Sequence, residues 1–332
     1  MNPLFVGIDV SSKNNVVYLM KPDGTKFSTF SVQNNLSGAK ILSEKIVSAL
    51  DKFQLDEVKI GLEATSIYGD SLVYALREDG KLGRYQRKIH VLNPKQVRKF
   101  KDAYSDLPKN DYVDAFVIAD HLRFGRIASE VYMDDYRYRS LQTLTRARFD
   151  AVQNLTREKQ RFANYLFLKC SGIAQDKDIS NTSATTLALM EAFESVDELA
   201  NCDLEALTAF VSAAGRGRFA DPEATAKTVQ AAARGSYRLP KTVNDSINQA
   251  MSVSIASMRA LESQIKVLEK AIEQQFEIIP NTLTSIPGIG PVYSAGIIAE
   301  IGDIRRFESQ ASICRICTAG QRTRRGLPSR CT

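Results

Sequence analysis

The fold of the first part of the chain is decided by one stretch near the N-terminus, Leu4-Phe5-Val6-Gly7-Ile8-Asp9-Val10-Ser11-Ser12-Lys13. An apolar run of strand length reaches a carboxylate, Asp9, turns through small polar residues and resumes as a second apolar run at 16–20. This pattern predicts a hairpin whose first strand is buried. An acid in such a run is costly to bury unless a cation or a hydrogen-bond donor compensates it. Asp9 is therefore either a turn residue bonded to its own loop or part of a charged site, and this stretch alone does not decide between them.

Length and composition indicate a globular protein of more than one domain. The chain has 332 residues, which is more than one ordinary core holds, so two or three domains are expected. Hydrophobic residues make up 44% and charged residues 25% of the chain, a balance that excludes global disorder. The sequence has neither a long apolar run nor a signal peptide, so we expect no membrane association and a cytoplasmic, nucleoid-associated protein.

The excess of positive charge is concentrated in three tracts. Lys and Arg total 44 against 38 Asp and Glu, which gives a net charge of +6 and a pI near 9.0. Basic residues outnumber acids by ten to four over 77–110, eight to two over 137–169 and seven to one over 304–332. Three separate basic tracts favour a phosphate-rich partner. The candidate contacts to a nucleic-acid backbone are Arg98, Lys99, Lys101, Arg146, Arg157 and Arg161.

The cysteines indicate neither disulfides nor a zinc site. The chain has five, an odd number, and without an export signal they are expected to be reduced. Cys314 and Cys317 form the one close pair in the sequence. Zinc would need two further ligands, and the remaining cysteines and the two histidines are scattered, so this interpretation is disfavoured.

The first 130 residues alternate predicted strands and helices, which indicates an α/β domain. The predicted elements after the first hairpin are a helix at 36–53, a strand at 58–62, a helix at 68–76 and a strand at 89–92. The strand at 58–62 ends on a carboxylate, Glu63, just as the first strand of the hairpin ends near Asp9. Strand ends are where open α/β sheets usually build their chemistry, so both acids are candidate site residues.

Two more acids open the next helix. Asp111 and Asp114 precede the apolar run 115–119, and their spacing of three places them on one face of the first helical turn. Each has a structural explanation by itself, Asp111 as the N-cap and Asp114 as an acid at the positive end of the helix dipole. This explanation accounts for each residue singly, but it does not account for four acids on elements that could converge. Four such carboxylates would repel one another unless divalent cations lay between them, and Mg²⁺ or Mn²⁺ suits oxygen ligands.

Four short motifs carry a resemblance to a known family. In chain order they are Gly7-Ile8-Asp9-Val10-Ser11, Leu62-Glu63-Ala64-Thr65, Val91-Leu92-Asn93-Pro94 and Lys109-Asn110-Asp111-Tyr112-Val113-Asp114-Ala115. Together they resemble the DEDD transposases of the IS-110 insertion-sequence family. The resemblance implies a RuvC-like (RNase H-like) domain over 1–130. Asn110 stands where Thr is more usual and Ser66 where Gly is common, and neither departure removes a ligand. By the same resemblance, the catalytic residues and the Mg²⁺ or Mn²⁺ ligands are Asp9, Glu63, Asp111 and Asp114.

The middle of the chain, 137–280, is expected to be helical with a coiled-coil segment. Residues 138–168 lack Pro and Gly, and shorter helical patterns such as 197–211 follow. Over 247–279 apolar residues recur at alternating intervals of four and three, which is a heptad pattern. This seam predicts either the core helix of a bundle or a coil between two chains. The resembling family joins protomers through such an element, which implies a dimer or tetramer.

The region 281–320 resembles a helix-hairpin-helix module and the C-terminal domain of the same transposases. Gly288 and Gly290 lie in a Pro-Gly-x-Gly turn between apolar segments, and such glycines let the backbone approach a phosphate. Arg305 and Arg306 are further candidate DNA contacts. After Gly320 the resemblance ends, and the basic tail 321–332 suggests a truncated or frameshifted form. Its one serine, Ser329, lacks the Gly that follows the nucleophilic serine in the family.

The resemblance implies recombination of DNA by an insertion sequence. In that family an element-encoded structured guide RNA pairs with DNA, and strand cleavage uses a serine nucleophile beside the metal-bound acids. Two alternatives remain at this stage. One is an actin/hexokinase-like kinase, whose first phosphate loop also places Asp after a strand, although its second Gly-rich loop is missing. The other is a non-catalytic nucleic-acid binder derived from a truncated transposase.

Overall fold

The structure is a computed structural model that describes residues 3–63, 67–104, 110–125 and 136–302, together with 304 and 309. The chain divides into two compact units, residues 1–133 and residues 134–332. The boundary falls close to the end of the predicted α/β domain. No helix in the described ranges is long and apolar enough to cross a membrane.

The first unit contains a five-stranded mixed sheet. Its strands are β1 (Leu4–Val10), β2 (Asn14–Met20), β3 (Lys26–Gln33), β4 (Glu57–Glu63) and β5 (Gln86–Leu92). They lie in the order β3-β2-β1-β4-β5, with β2 antiparallel to both β1 and β3, and with β4 parallel to both β1 and β5. This order fits the RNase H-like domain that the resemblance implies. The strand β3 was not anticipated from the sequence, because its apolar residues alternate weakly and most are only half-buried.

Helices cover both faces of this sheet. They are α1 (Leu36–Phe53), α2 (Asp70–Glu78), α3 (Pro94–Lys101) and α4 (Asp111–Phe124). Side chains of β1 alternate between the faces, so Leu4, Val6 and Ile8 join the core formed with α1 and α2. Phe5 lies on the opposite face and packs against Ala119 of α4. The sheet is therefore the middle layer of an α/β/α arrangement.

The second unit is helical. Its helices are α5 (Tyr136–Lys169), α6 (Ser171–Gln175), α7 (Ala184–Ala192), α8 (Val196–Asn201), α9 (Leu204–Gly215), α10 (Pro222–Arg234), α11 (Lys241–Phe276) and α12 (Pro291–Ile301). The predicted continuous helix at 197–211 is wrong, because the chain breaks at Cys202 and Asp203 caps α9 by accepting from the N–H of Ala206. The long helix predicted at 138–168 is confirmed as α5.

The heptad seam of α11 is used within the chain. Met251, Ile255 and Met258 are buried and share one core with Phe162 and Leu166 of α5. Farther along α11, Ile272 and Phe276 share a second core with Leu141 of α5. A buried polar pair joins the same two helices, since the hydroxyl of Ser254 donates to the Glu158 carboxylate at 2.7 Å. The packing supports the bundle-core interpretation of the seam, and an association between chains would need another surface.

The predicted helix-hairpin-helix is incomplete in the described residues. A three-residue 3-10 turn, Leu283–Ser285, stands where the first helix would be, and α12 supplies the second. Gly288 adopts a left-handed φ of 87°, which favours glycine, and Gly290 is the N-cap of α12. A Cβ built at either glycine would meet no atom within 4 Å, so the turn is open to solvent. Arg305, Arg306 and the tail 321–332 lie outside the described residues.

Candidate active site

Two glycines bring helix α4 against the sheet. A Cβ built on Gly7 of β1 would lie 2.0 Å from the carbonyl oxygen of Ala115 and 2.5 Å from the backbone nitrogen of Ala119. A Cβ on Gly61 of β4 would lie 2.8 Å from a methyl carbon of Leu122. Only the absence of a side chain allows this approach. Because Gly7 contacts the first half of α4, the N-terminal turn of α4 lies toward the carboxyl end of β1.

The first turn of α4 carries two acids that do not cap the helix. The N-cap is Asn110, whose side chain accepts a hydrogen bond of 2.9 Å from the backbone N–H of Val113. The interpretation of Asp111 as the N-cap is therefore wrong. Asp111 is exposed and Asp114 is half-buried, and both lie in the turn that the close approach delivers to the sheet. Neither carboxylate is needed to complete the helix, which leaves both available for a site.

Asp9 and Glu63 stand at the ends of adjacent strands. β1 and β4 run parallel, with Ile8 opposite Leu62, so their carboxyl ends meet at the same edge of the sheet. Side chains two residues apart share a face, so Asp9 and Glu63 lie on the face where Gly7 and Gly61 receive α4. The fold thus directs all four acids predicted for the site toward one end of the β1–β4–α4 layer.

The electrostatics connect the four carboxylates. Burial, followed by the negative charges of Asp114 and Asp111, raises the pKa of Asp9 to about 6. The pKa of Glu63 is raised as well, first by burial and then by Asp9 and Asp114. Each acid is thus linked to at least one other by like-charge repulsion. These four residues form what we call the acid cluster: Asp9, Glu63, Asp111 and Asp114.

One cation partly compensates the acid cluster. The ammonium of Lys101, the last residue of α3, forms an ion pair with Asp114 and lowers the pKa of both Asp9 and Glu63. Lys101 was also predicted to contact a nucleic-acid backbone, and that contact stays a prediction. Its neighbours Arg98 and Lys99 are exposed on the same helix and remain candidates for that role.

The net negative charge of the acid cluster suits a divalent cation, but its carboxylates lie too far apart to bind one together. Four carboxylates against one ammonium leave an excess of negative charge, and hard oxygen ligands suit Mg²⁺ or Mn²⁺. In the described part of the chain, however, no three Asp, Glu, His or Cys side chains stand close enough together to hold a metal ion. Binding would therefore require the Lys101–Asp114 ion pair to open and the carboxylates to draw together.

An asparagine that sequence reasoning missed fixes the loops beside the acid cluster. The side-chain amide of Asn34 donates 2.9 Å to the carbonyl oxygen of Ser11 and 3.2 Å to that of Tyr68. Ser11 follows Asp9 and Tyr68 follows Glu63, so one side chain joins the segments after both acid-bearing strands. The Asn34 oxygen in turn accepts 3.2 Å from Asn15, which is fully buried. The one sequence feature that could have pointed to Asn34 is the pair of asparagines, Asn34-Asn35, just before a predicted helix.

A second network holds α3 against α4. The Tyr104 hydroxyl donates to the carboxylate of Asp120, which is 8% exposed, and the Arg123 Nε donates to the same carboxylate at 2.7 Å. Burial and the hydrogen bond to Asp120 raise the pKa of Tyr104, so the phenol stays protonated. Asp120 is not part of the acid cluster, because Tyr104 and Arg123 satisfy it. The network anchors the end of α3 that carries Lys101.

The basic residues predicted on α5 are largely engaged within the second unit. Arg146 forms a two-pronged pair with Glu300 at 2.8 and 2.9 Å. Arg161 pairs at 2.7 Å with Glu158, the acid that also accepts from Ser254. Arg157 is exposed, and in the described residues its guanidinium makes one long contact of 3.5 Å to the side chain of Asn154. Of these three arginines, Arg157 is the best placed to meet a phosphate.

The strand order is that of an RNase H-like domain, and comparison with known proteins identifies the family. The family model for DEDD transposases of IS-110 matches residues 6–169, and the model described as Transposase IS116/IS110/IS902 family matches residues 281–323. The chain belongs to the IS-110 family of insertion-element transposases. The kinase alternative is therefore set aside.

Individual relatives agree with the family. A mini-circle protein of IS117 from Streptomyces coelicolor, described as a transposase, is 24% identical over 313 residues, covering 91% of this chain and 72% of that protein. The 44.8 kDa protein of insertion element IS116 from Streptomyces clavuligerus is 25% identical over 315 residues, covering 92% and 73%.

The chain is also similar to solved structures. One of them is T. thermophilus RuvC in complex with a Holliday junction substrate, which is 12% identical and covers 39% of this chain and 98% of its own, at a TM-score of 0.28. Because the TM-score is low, this similarity carries no argument about the fold, which rests on the strand order.

Proposed function

We propose that this chain is a DNA recombinase of an insertion sequence and that its acid cluster is the catalytic metal site. The observation that carries the proposal is the raised pKa of two carboxyl groups of the cluster, about 6 at Asp9 and above its usual value at Glu63. Strong perturbation by burial and by like charges is typical of functional sites rather than of structural carboxylates. The family to which the chain belongs supplies the reaction class, namely breakage and joining of DNA strands.

The residues of the cluster have distinct parts in this proposal. Asp9 and Glu63 provide carboxylate oxygens from rigid strand ends, and Asp111 and Asp114 provide them from the first turn of α4. A bound Mg²⁺ or Mn²⁺ would polarise the phosphodiester and stabilise the charge that develops on the attacking and leaving oxygens. Lys101 neutralises Asp114 when no other cation does so, and its ammonium must leave Asp114 before that carboxylate can bind an ion.

In this proposal a guide RNA, rather than the protein, recognises the DNA sequence. The resembling family uses an element-encoded structured guide RNA, so the protein needs to hold nucleic-acid backbones more than to read bases. The exposed basic residues Arg98, Lys99 and Arg157 suit this role. The turn with Gly288 and Gly290 would meet a DNA phosphate. Arg305 and Arg306 remain part of the proposed DNA contact, and the serine nucleophile of the family is not assigned to a residue.

Self-association as a dimer or tetramer also belongs to the proposal. Since α5 covers the heptad seam of α11 within the chain, two chains would have to meet elsewhere. Val253 and Val267 on α11 are two heptads apart and 68% and 67% exposed, so they share one outward face. The mass of the protein in solution tests association, and Val253→Lys with Val267→Lys should return an oligomer to the monomer without unfolding it. A wild-type monomer at all concentrations would refute this part.

The test of the catalytic proposal uses single carboxylate-to-amide changes. Asp9→Asn and Asp114→Asn should each lower Mg²⁺-dependent cleavage of the element's DNA ends by about a hundredfold or more, since a metal ligand is lost. Asp56→Asn, an exposed acid outside the cluster, is the control and should keep wild-type activity. A second measurement is independent of cleavage. Mg²⁺ should raise the melting temperature of the wild type and of the control, but not that of the cluster variants.

The observed spacing favours one second candidate, a nucleic-acid binder without catalysis. In the described residues no three acids stand at ligand distance, and Lys101 holds Asp114. Such a protein would bind DNA, would show no Mg²⁺-dependent rise in melting temperature and would cleave nothing. The same experiments therefore separate the two candidates.

A further inference from the structure

Three half-buried phenylalanines lie on the edge strand of the sheet and at the end of the first helix. Phe27 and Phe30 belong to the edge strand β3, and Phe53 ends α1. The rings of Phe27 and Phe53 meet edge to face, with centroids 5.0 Å apart and an interplanar angle of 88°. A bulge places Ser28 opposite Leu19 and Lys26 opposite Met20, which leaves Phe27 unpaired between them. Phe27 and Phe30 both pack against the core formed with α1 and α2.

Three lysines lie over these rings. The ammonium of Lys45 is 4.1 Å from the centroid of Phe30. Lys52 lies 5.5 Å from Phe27 and 6.0 Å from Phe53, and Lys21 lies 5.5 Å from Phe53. An ammonium within about 6 Å of a ring face is attracted by the ring quadrupole, so these side chains are held rather than freely mobile. We call this set the lysine–phenylalanine surface: Lys21, Lys45, Lys52, Phe27, Phe30 and Phe53.

The charges of Lys45 and Lys52 have no acidic partner in the described residues, whereas that of Lys21 helps to lower the pKa of the exposed Asp23. No carboxylate of the described residues forms an ion pair with Lys21, Lys45 or Lys52. Other lysines of the same unit are paired, such as Lys81 with Glu44 at 2.8 Å. A ring holds an ammonium without neutralising it, so the positive charge remains available to an anion.

We propose that the lysine–phenylalanine surface binds the phosphate backbone of duplex DNA. Three ammonium groups held over aromatic rings and outside any ion pair complement the phosphates of a duplex, and the family acts on DNA. Lys21 follows Met20, which pairs with Phe5 near the start of β1, so this end of the surface lies at the edge of the sheet opposite to Asp9. Its other end, at Phe30, lies level with Ile8, but Phe27 and Phe30 face the core of α1 and α2, whereas Asp9 lies on the face that receives α4. The surface therefore grips a duplex segment on the other side of the sheet from the acid cluster. This inference rests on the proposed DNA recombinase function but not on its metal site.

The experiment compares two triple variants that lose the same charge. The test variant is Lys21→Gln, Lys45→Gln and Lys52→Gln. The control changes three lysines that already have carboxylate partners, at 2.8, 3.8 and 2.7 Å, namely Lys81→Gln, Lys159→Gln and Lys227→Gln. Affinity for a 30-base-pair duplex is measured by fluorescence anisotropy from about 50 to 300 mM salt, and for an RNA hairpin of equal charge in parallel. Circular dichroism checks that each protein is folded.

The expected result is specific to the test variant. Each lost lysine–phosphate contact lowers the slope of log affinity against log salt by about 0.9, so the slope should fall by about 2–3 and duplex affinity by roughly tenfold to a hundredfold at 0.15 M salt. Lys→Arg at the same three positions should restore both. An unchanged slope, or equal losses in both triple variants, overturns the proposal, as does a loss confined to the RNA. A wild type without salt-dependent duplex binding would refute the proposed function as well, whereas failed cleavage with intact binding would not touch this surface.

Discussion

The two units of the chain treat charge in opposite ways. In the helical unit, long-range ion pairs join neighbouring helices, as in Arg148 with Glu269 at 2.6 Å and Arg259 with Glu191 at 2.7 Å. In the described residues of the sheet unit, four carboxylates lie toward one end of the sheet, and one ammonium, that of Lys101, forms an ion pair with one of them, Asp114. The first arrangement stabilises a fold and the second opposes it, because like charges near one another raise the free energy of the ionised state.

This difference separates structural residues from functional ones. A carboxylate that only supported the fold would gain a partner, as Glu158 does from Ser254 and Arg161. Asp9 instead sits half-buried with its pKa raised to about 6. Strain of this kind persists where the surrounding structure holds the group in place and a ligand relieves it.

The largest effect is expected from Gly7→Val, which prevents the close approach of α4 to β1 that brings Asp111 and Asp114 toward Asp9. The new side chain would overlap the backbone of α4 at Ala115 and Ala119, neither of which can move without displacing the helix. We expect the sheet unit to lose more than about 4 kcal/mol of unfolding free energy. The helical unit should keep its own transition in a urea titration followed by circular dichroism.

Gly80→Ala is the control for this change. A Cβ at Gly80 meets no atom within 4 Å, so stability should change by less than about 0.5 kcal/mol. Equal stability of the two variants would show that α4 is not held against β1 by close contact, and would remove the basis for placing Asp111 and Asp114 beside Asp9.

Sequence reasoning found the acids but not what assembles them. The carboxylates could be located because strand ends and helix starts leave local signals at Asp9, Glu63, Asp111 and Asp114. The contacts that join these elements are long-range and leave no such signal. Gly7 looked like one residue of a buried strand, and Lys101 like one charge in a basic tract. Residues 64–66 and 105–109, which flank the predicted site, lie outside the described part of the chain.

The helical middle shows the same limit. The heptads of α11 were visible, because periodicity is a local property. Their partner was not, since the pattern is equally typical of a bundle helix and of a coil between chains. The partner α5 lies about a hundred residues earlier in the sequence. Its own pattern was dominated by arginines, such as Arg146 and Arg148, that turned out to pair with acids on α12 and α11.

The next effect is expected in the helical unit, from Phe162→Ala. This ring is fully buried between α5 and α11, and its removal leaves a cavity worth about 3–5 kcal/mol of unfolding free energy. Phe167→Ala on the same helix removes a ring that is 45% exposed and should cost less than about 1 kcal/mol. Comparable losses would mean that the seam is not covered by α5. The binding and metal response of the sheet unit should not change in either variant.

A smaller effect of opposite sign is expected from Asp9→Asn in metal-free protein. The folded pKa of about 6 lies above the ordinary 3.8, so the folded state holds a proton that the unfolded state releases. Wild-type stability should therefore fall as pH rises from about 4 to about 6. The amide avoids this loss, and we expect it to add about 1–2 kcal/mol at pH 7.5, a value reduced for the partial exposure of Asp9, and nothing at pH 4.

Melting temperatures in EDTA at the two pH values measure this effect. Asp56→Asn, outside the cluster, should show no difference between wild type and variant that depends on pH. If Asp9→Asn destabilises the protein at pH 7.5, the carboxylate is a satisfied structural group, and the contrast between the two units disappears.

The smallest effect is expected from Asn34→Asp, which tests how the loops beside the acid cluster are held. The change keeps the shape of the side chain but replaces a donating amide by an oxygen that faces the carbonyls of Ser11 and Tyr68. Loss of both hydrogen bonds should cost about 1–2 kcal/mol. The neighbouring Asn35→Asp is the matched control, because Asn35 is the N-cap of α1 and Asp caps equally well. Hydrogen exchange should accelerate at the amides of Ser11 and Asn14 in the first variant only. Equal exchange in both would show that Asn34 does not position the segments that follow Asp9 and Glu63, and that strand pairing alone holds the acids in place.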